Sequence, residues 1–170
     1  MKGTAVPWPR PDKRIYGADE SYRIGADWLA RCWTVADWGC GGGRLKRFLP
    51  AGVRYVGIDG TPGPAVAVVT DLARCSRPSD GIMLRHVVDN TPDWRAVLRS
   101  ALGAFGDRLV VVTYTPDAQA SHVDHRDEPG GWPVWHLNPD ELRAEMGRHL
   151  VREVLTEAAP ERVYLLERKR

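Results

Sequence analysis

Short apolar runs, separated by glycine, proline and charged residues, recur through the middle of the chain. They are rich in Val, Ile and Leu, which is typical of strands buried on both faces of a sheet. The runs predict strands over 34–38, 53–58, 65–69, 81–84 and 108–115. Near the C-terminus, two further runs over 150–156 and 162–166 flank Pro160 and predict a hairpin.

Apolar spacing and helix-start residues predict helices over 18–33, 43–49, 92–103 and 138–149. We expect Asp19 to cap the first helix, and Thr91 followed by Pro92 to start the third. Only residues 59–64 separate the second and third predicted strands, which is shorter than an ordinary helical crossover. The helix between strands 2 and 3 is therefore predicted to be missing.

Strands that alternate with helices predict an α/β fold with a mostly parallel, twisted sheet, to which the C-terminal hairpin adds antiparallel strands. The chain has 170 residues, of which 43% are hydrophobic and 27% charged, as expected for one globular domain. Residues 1–13 contain three prolines and are expected to form an extended tail before a single domain over 14–170.

Charge and cysteine content narrow the class of protein. The net charge of +2 gives little electrostatic reason to bind nucleic acid or an anionic membrane. The N-terminus lacks the apolar segment of a secretion signal, and no apolar run is long enough for a membrane span. Three cysteines without C-x-x-C spacing predict a reducing, cytoplasmic location.

The most informative stretch is 35–44, where a predicted strand ends at Asp37 and a glycine turn follows. Glycine permits positive φ and lets a ligand approach the backbone closely. The dinucleotide pattern G-x-G-x-x-G fails because Arg44 replaces its third glycine. An acidic-x-G-x-G-x-G pattern is complete, from Asp37 through Gly39 and Gly41 to Gly43.

This pattern resembles motif I of the class I S-adenosylmethionine-dependent methyltransferases. Together with Gly57-Ile58-Asp59-Gly60 and the stretch 84–90, it is similar to small stand-alone methyltransferase-like proteins of bacteria and their phages. The resemblance covers most of 18–116 and implies a Rossmann-like sandwich that binds S-adenosylmethionine. It implies cofactor contacts from Tyr16, Asp37, Gly39, Cys40, Gly41, Asp59, Gly60, Asp71, Leu72, Arg85 and His86. For Tyr16, packing on the domain is an equal alternative.

Methyl transfer to a hydroxyl benefits from a general base. His86 and Asp89 are candidates, because they leave the fourth strand at the edge where ligands of open α/β sheets bind. A structural histidine and a helix-capping aspartate are the alternatives. His136 is a candidate substrate contact, since it follows the polar segment 117–133, a predicted substrate loop. His122, Asp124 and His125 could suggest a metal, but no third set of spaced ligands follows, so no metal is predicted.

These patterns predict methyl transfer from S-adenosylmethionine to a small molecule or glycan. A protein that binds S-adenosylmethionine without catalysis, as a sensor or partner subunit, is an alternative. Nucleic acid is a less favoured acceptor, although Arg44, Lys46, Arg47 and Arg54 could form a basic patch. The Asn/Asp-Pro-Pro-aromatic signature of amino-directed DNA methyltransferases is absent at 85–88, and a nicotinamide reductase is least favoured.

Overall fold

The computed structural model describes residues 19–114, 118–126, 133–157 and 161–169. The described residues form three α-helices: α1 (Glu20–Leu29), α2 (Trp94–Ala104) and α3 (Pro139–Met146). They also form nine strands: β1 (Thr34–Trp38), β2 (Arg54–Asp59), β3 (Val68–Val69), β4 (Ser79–Arg85), β5 (Phe105–Tyr114), β6 (His122–Arg126), β7 (Pro133–His136), β8 (Leu150–Leu155) and β9 (Glu161–Glu167). The tail predicted over 1–13, and Tyr16, lie outside the described residues.

Seven strands form one sheet in the order β3-β2-β1-β4-β5-β9-β8. The first five of these run parallel, whereas β9 is antiparallel to both β5 and β8. The chain moves outward from β1 to β3 and then crosses back to β4 on the other side of β1. The predicted α/β architecture, with a mostly parallel sheet and an antiparallel C-terminal hairpin, is confirmed.

The connection between β2 and β3 contains no helix, as predicted. The two strands pair in parallel only through Ile58 with Val68 and Asp59 with Val69. Pro62 and Pro64 lie in the connection and have no backbone N–H to donate. The expected strand over 65–69 is reduced to two residues at the edge of the sheet, because a turn closed by the Val66 N–H and the Gly63 carbonyl occupies its start.

Three details of the predicted helices are wrong. The helix expected over 43–49 is a short 3-10 helix, Arg44–Arg47, because Gly43 enters it in left-handed conformation and Pro50 ends the segment. Asp93 rather than Thr91 caps α2, by accepting a hydrogen bond from the Ala96 N–H. Asp19 makes no capping bond to α1, and instead its carboxylate lies 2.5 Å from the guanidinium of Arg44.

The segment expected to be a loop over 117–133 is partly regular. Its described part contains β6, which pairs antiparallel with β7 through His122 opposite His136 and Val123 opposite Trp135. β6 carries polar residues at most positions, so its sequence lacks the apolar alternation that identifies a strand.

Apolar side chains cover both faces of the large sheet. On one face α2 and α3 pack over sheet residues that include Trp38 and Ile82, and on the other α1 packs over residues that include Met83 and Val110. Fully burying one large apolar side chain contributes about 1.5–3 kcal/mol to the stability of the fold. The two apolar layers therefore fix the sheet whose edge carries the candidate site. None of the described helices is both long and apolar enough to cross a membrane.

Candidate functional site

The carboxyl ends of β1, β2, β4 and β5 meet at one edge of the sheet. The strand order reverses between β1 and β4, which lie side by side there. Open α/β sheets bind ligands in the crevice at such a reversal. The edge brings together Asp37 and Asp59 with Arg85 and His86, four of the residues predicted for the site.

The glycine turn begins directly after β1. Gly39, Gly41 and Gly43 have φ values of +73°, +47° and +69°, which favour glycine over residues with a Cβ. The N–H of Gly39 donates to the Ile58 carbonyl at 2.7 Å, which ties the turn to β2. At Gly39 a Cβ would overlap Cγ2 of Val87, so the turn also packs against the segment that follows β4.

Asp59 ends β2 and contacts this turn. Its Oδ2 accepts a hydrogen bond from the Gly41 N–H and its Oδ1 accepts one from the Thr61 N–H, both at 3.0 Å. The carboxylate therefore lies between the glycine turn and the chain after β2, with the exposed Gly60 beside it. A half-buried carboxylate in this position can accept hydrogen bonds from ligand hydroxyls.

Asp37 and Cys40 lie deeper below the turn. Asp37 is 4% exposed, and burial raises its pKa to about 7 even though the Tyr55 hydroxyl donates to it at 3.0 Å. Burial, with the nearby carboxylates of Asp37 and Asp59, raises the pKa of the Cys40 thiol to about 12. A thiol in that state is a poor nucleophile at neutral pH, and Cys40 Sγ instead donates to the Ala65 carbonyl at 3.8 Å. Contact of Cys40 with a cofactor stays a prediction.

The connection after β2 folds back onto the glycine turn. A Cβ at Gly43 would come within 2.6 Å of the Ala65 Cβ, and Cys40 Sγ lies 3.8 Å from the Ala65 carbonyl oxygen. The connection has no helix. Ala65 instead packs against Gly43 and Gly57 and covers the end of β2.

Asp71 and Leu72 lie beyond β3, further along the same edge. The exposed Asp71 accepts a hydrogen bond from the Ala73 N–H at 3.0 Å, while Leu72 packs against the core. No hydrogen bond within the described part of the chain joins Asp71 to Asp37 or Asp59. Contact of Asp71 and Leu72 with an adenine ring stays a prediction.

A buried cluster of charged side chains lies where β4 ends. His86 Nδ1 is 3.1 Å from Asp89 Oδ2, and its Nε2 is 2.8 Å from Glu161 Oε1. The same Glu161 oxygen accepts a hydrogen bond from Arg85 Nη2 at 2.6 Å. Burial lowers the pKa of His86, but the negative charge of Asp89 and the hydrogen bonds to both carboxylates outweigh burial, and the pKa is raised.

Both ring nitrogens of His86 are therefore engaged by carboxylates. Asp89 is 1% exposed and its Oδ2 also accepts a hydrogen bond from the Tyr114 N–H at 3.0 Å. Action of His86 or Asp89 as a general base stays a prediction, and in this geometry it would require one of these bonds to break.

Sequence reasoning did not find Glu161. It is 1% exposed and pairs with Tyr114, so the antiparallel register of β5 and β9 brings it to the site. The available signal was an acidic residue shortly before the apolar run 163–166, next to a predicted turn.

His136 lies on the hairpin of β6 and β7, which packs against the turn Val88–Asn90. Trp135 Nε1 anchors the hairpin by donating to the Thr91 carbonyl at 2.8 Å. His136 Nε2 is 3.6 Å from Asp124 Oδ2, and its ring lies edge-on to His122 at 5.4 Å between centroids. Within the described residues, no group of three or more His, Cys, Asp or Glu side chains could hold a metal ion.

Comparison with known proteins finds likeness in structure alone. No protein-family model matches the chain, and no curated protein matches it. The Burkholderia thailandensis 1,6-didemethyltoxoflavin-N1-methyltransferase with bound S-adenosylhomocysteine superposes with a TM-score of 0.71 at 16% identity, over 89% of this chain and 77% of that one.

Two further solved structures agree. The Synechocystis magnesium protoporphyrin IX methyltransferase with bound S-adenosylmethionine gives a TM-score of 0.67 at 16% identity, covering 89% of this chain and 79% of that one. Human N-acetylserotonin methyltransferase gives 0.60 at 13% identity, covering 87% and 50%. The chain therefore has the fold of the class I S-adenosylmethionine-dependent methyltransferases.

Proposed function

We propose that this protein transfers the methyl group of S-adenosylmethionine to a small-molecule or glycan acceptor. One observation carries the proposal: the Asp59 carboxylate is bound to the Gly41 N–H of a left-handed glycine turn, at the edge where the strand order reverses. This arrangement combines a hydrogen-bond acceptor for ribose hydroxyls with a backbone that a ligand can approach closely.

The residues around the turn fit the charge and shape of S-adenosylmethionine. We expect Asp59 and Gly60 to face the ribose, and Gly39 to Gly41 to lie along the amino-acid tail. Asp37 would add a negative charge below the turn, which favours a cationic ligand. When bound, S-adenosylmethionine supplies an electrophilic methyl group on a positively charged sulfur.

The chain's own contribution is to orient the acceptor behind that methyl group and to exclude water. Positioning of this kind supplies about 7–11 kcal/mol of barrier reduction. Where the acceptor is a hydroxyl, we propose His136 as the group that takes its proton, because its half-buried ring lies beside the Asp124 carboxylate. Asp89 and His86 would then hold the end of β4 in position.

One cavity of the described structure has room for a small acceptor, although its lining includes none of the predicted cofactor or catalytic residues. A cavity of about 360 Å³ opens beside the end of β5, between α3 and the start of β9. Pockets for small molecules usually measure about 300–1,000 Å³. Its lining is mostly polar and consists of Ala118, Gln119, Asn138, Pro139, Asp140, Arg143 and Arg162. The similar toxoflavin and protoporphyrin methyltransferases are named for small-molecule substrates, which agrees with this choice.

Isothermal titration with S-adenosylmethionine and S-adenosylhomocysteine tests cofactor binding. We expect Asp59→Asn to weaken binding at least about tenfold, because a charged hydrogen-bond acceptor is lost. Asp27→Asn, on an exposed position of α1, is the matched control and should bind normally. Failure of the wild-type chain to bind either compound, or a preference for NADH, would overturn the proposal.

Transfer of labelled methyl groups into a fraction of small metabolites then tests catalysis. Transfer that is lost in Asp59→Asn and kept in Asp27→Asn would support the enzyme. Tight binding without transfer to metabolites, glycans or nucleic acid would instead favour the non-catalytic alternative.

A further inference from the structure

His86 has a backbone conformation that residues with a Cβ rarely adopt. Its φ is +53°, and within the described part of the chain it is the sole non-glycine residue with a positive φ. Such a conformation persists only where surrounding contacts hold it, and it is concentrated at functional sites. His86 directly follows β4, so the contacts that hold it also set the direction in which the chain leaves the sheet.

Contacts to the His86 ring come from two directions. Asp89 approaches from three residues ahead on the same segment and binds Nδ1. Glu161 approaches from β9, 75 residues away in sequence, and binds Nε2. Asn90 Nδ2 adds a bond to the His86 carbonyl at 3.0 Å, which closes the turn. The local bonds shape the turn, and Glu161 ties it to another strand.

Glu161 is also the counter-ion of a second cation. Its Oε1 accepts from Arg85 Nη2 at 2.6 Å, while Arg85 Nε donates to Ser21 on α1 at 2.9 Å. With protonated His86, the cluster holds two cations, Arg85 and His86, against two carboxylates, Asp89 and Glu161. Among the described side chains, removing Glu161 would leave two adjacent buried cations, Arg85 and His86, with the Asp89 carboxylate, which is strongly unfavourable.

The residue after His86 links this cluster to the glycine turn. Val87 lies against Gly39 so closely that a Cβ on Gly39 would overlap its Cγ2. The position of Val87 follows from the left-handed turn at His86. A change in the hydrogen bonds of His86 should therefore move Val87 and alter the position of Gly39, at the start of the glycine turn.

We propose that Glu161 is a positioning residue of the cofactor site: by bridging Arg85 and His86 it holds His86 in its left-handed conformation and seats Val87 against Gly39. The inference rests on the proposed binding of S-adenosylmethionine at the glycine turn. Glu161 acts through other side chains and is not assigned contact with either substrate.

Substitution of Glu161 tests the link from β9 to the glycine turn. In Glu161→Ala we expect the amide resonance of Gly39 to shift and the Kd for S-adenosylhomocysteine to rise at least about tenfold, the effect of losing a charge-assisted hydrogen bond. Glu153→Ala is the matched control, because Glu153 of β8 also bridges two arginines, Arg143 and Arg162. It should leave both the Gly39 resonance and the Kd unchanged.

Glu161→Gln gives a second measurement in a variant that keeps the shape of the side chain. Glu161 Oε1 contacts both His86 Nε2 and Arg85 Nη2, so a glutamine oxygen in its place accepts from both when His86 is protonated, and we expect near-normal affinity at pH 5.5, below the usual histidine pKa of about 6.5. A neutral His86 keeps its proton on Nδ1 towards Asp89, so its bare Nε2 would face the glutamine oxygen without a donor, and a flipped amide would set its NH2 against Arg85. The Kd of the variant should therefore rise severalfold towards pH 8, while the wild-type Kd changes less.

The groups that face the His86 ring define this pH range. Among the described residues these groups are Asp89 from the following turn, Arg85 from β4, Glu161 from β9 and Tyr114 from β5, whose ring stacks on His86 at 4.2 Å. From α1, Tyr22 lies 4.4 Å from the Arg85 guanidinium carbon. The difference between variant and wild type isolates the Glu161–His86 contact, because the other groups are common to both proteins.

Three outcomes would overturn the inference. They are a Glu161→Ala protein with unchanged Gly39 resonance and Kd, a Glu161→Gln protein whose Kd follows pH as the wild type does, and equal loss of affinity in both variants at pH 5.5. If the wild-type protein itself fails to bind S-adenosylhomocysteine, the proposed function fails. The Gly39 resonance then still tests the mechanical link alone.

Discussion

The Tyr55 hydroxyl on β2 donates a 3.0 Å hydrogen bond to the carboxylate of Asp37, the penultimate residue of the neighbouring strand β1. This bond favours the charged form of Asp37, but burial has the larger effect and raises the pKa to about 7. Burial therefore opposes the charged form of Asp37 well above the usual pKa range of a carboxyl group. Ionisation of Asp37 below the glycine turn therefore lowers the free energy of unfolding, because the buried carboxylate loses its hydration.

Replacing Asp37 by Asn should change how stability depends on pH. The unfolded state releases this proton near pH 3.8, whereas the folded state keeps it to about pH 7. The folded state therefore binds more protons between these values, and stability falls as pH rises through the window. A shift of about three pKa units corresponds to roughly 4 kcal/mol at most. We expect Asp37→Asn to remove much of this fall.

Thermal unfolding between pH 4 and 8 measures the effect, taken as the difference between variant and wild type. Other groups such as His86 titrate in both proteins and cancel in that difference. The melting temperature of Asp37→Asn should exceed that of the wild type increasingly as pH rises. Parallel curves for the two proteins would show that Asp37 does not carry a raised pKa.

Replacement by alanine should have different effects at two glycines of the same turn, Gly39 and Gly42. In Gly39→Ala the Cβ would overlap Val87 and the residue would need a φ of +73°. We expect a loss of about 1–3 kcal/mol of stability from the backbone conformation alone, and at least about tenfold weaker binding of S-adenosylhomocysteine. Chemical denaturation and isothermal titration measure the two effects.

Gly42→Ala provides the comparison within the turn. A Cβ at Gly42 meets no atom within 4 Å, and the residue does not require a positive φ. Its affinity and stability should match the wild type. Equal losses in Gly39→Ala and Gly42→Ala would mean that general flexibility, rather than the contact with Val87, limits the turn.

The parts of the candidate site that are formed by residues close together in sequence could be predicted from the sequence. Asp37, Gly39, Gly41 and Asp59 were found because a strand, a turn and the next strand end carry their signals in consecutive residues. The absent helix between β2 and β3 followed from chain length alone. The short 3-10 helix after Gly43 was harder to foresee, because residues 44–49 have helical composition and the left-handed conformation of Gly43 is visible only in the structure.

Contacts between residues far apart in sequence could not be predicted from motifs in consecutive residues. The bond from Glu161 to His86 depends on the register of β5 with β9, which places Tyr114 opposite Glu161. A shift of that register by one residue would turn Glu161 to the other face of the sheet. The strand β6 was missed for a related reason, since its polar residues form a strand only by pairing with β7.

His136 gives a prediction about catalysis itself. With a hydroxyl acceptor, His136→Ala should lower kcat by roughly 10²–10⁴-fold, the usual contribution of a general base. The Kd for S-adenosylhomocysteine should stay unchanged, because the described contacts of His136 lie on the hairpin of β6 and β7. Methyl-transfer kinetics together with isothermal titration separate these two quantities.

His122→Ala is the matched control, because His122 lies opposite His136 on the exposed strand β6. It should keep most of the activity. If the two variants lose activity equally, the hairpin contributes through its shape, and the assignment of the base to His136 is wrong.

The anchor of the hairpin makes a prediction about dynamics. Trp135→Phe keeps an apolar ring against the core but removes the donor to the Thr91 carbonyl, at a cost of about 1 kcal/mol. Amide hydrogen exchange should therefore become several times faster in β6 and β7 while it stays unchanged in β1 and β4. Trp33→Phe, at a position 74% exposed to solvent, should change neither region. Faster exchange throughout the sheet would mean that Trp135 supports the whole core, whereas unchanged exchange in the hairpin would mean that the bond to Thr91 does not hold it.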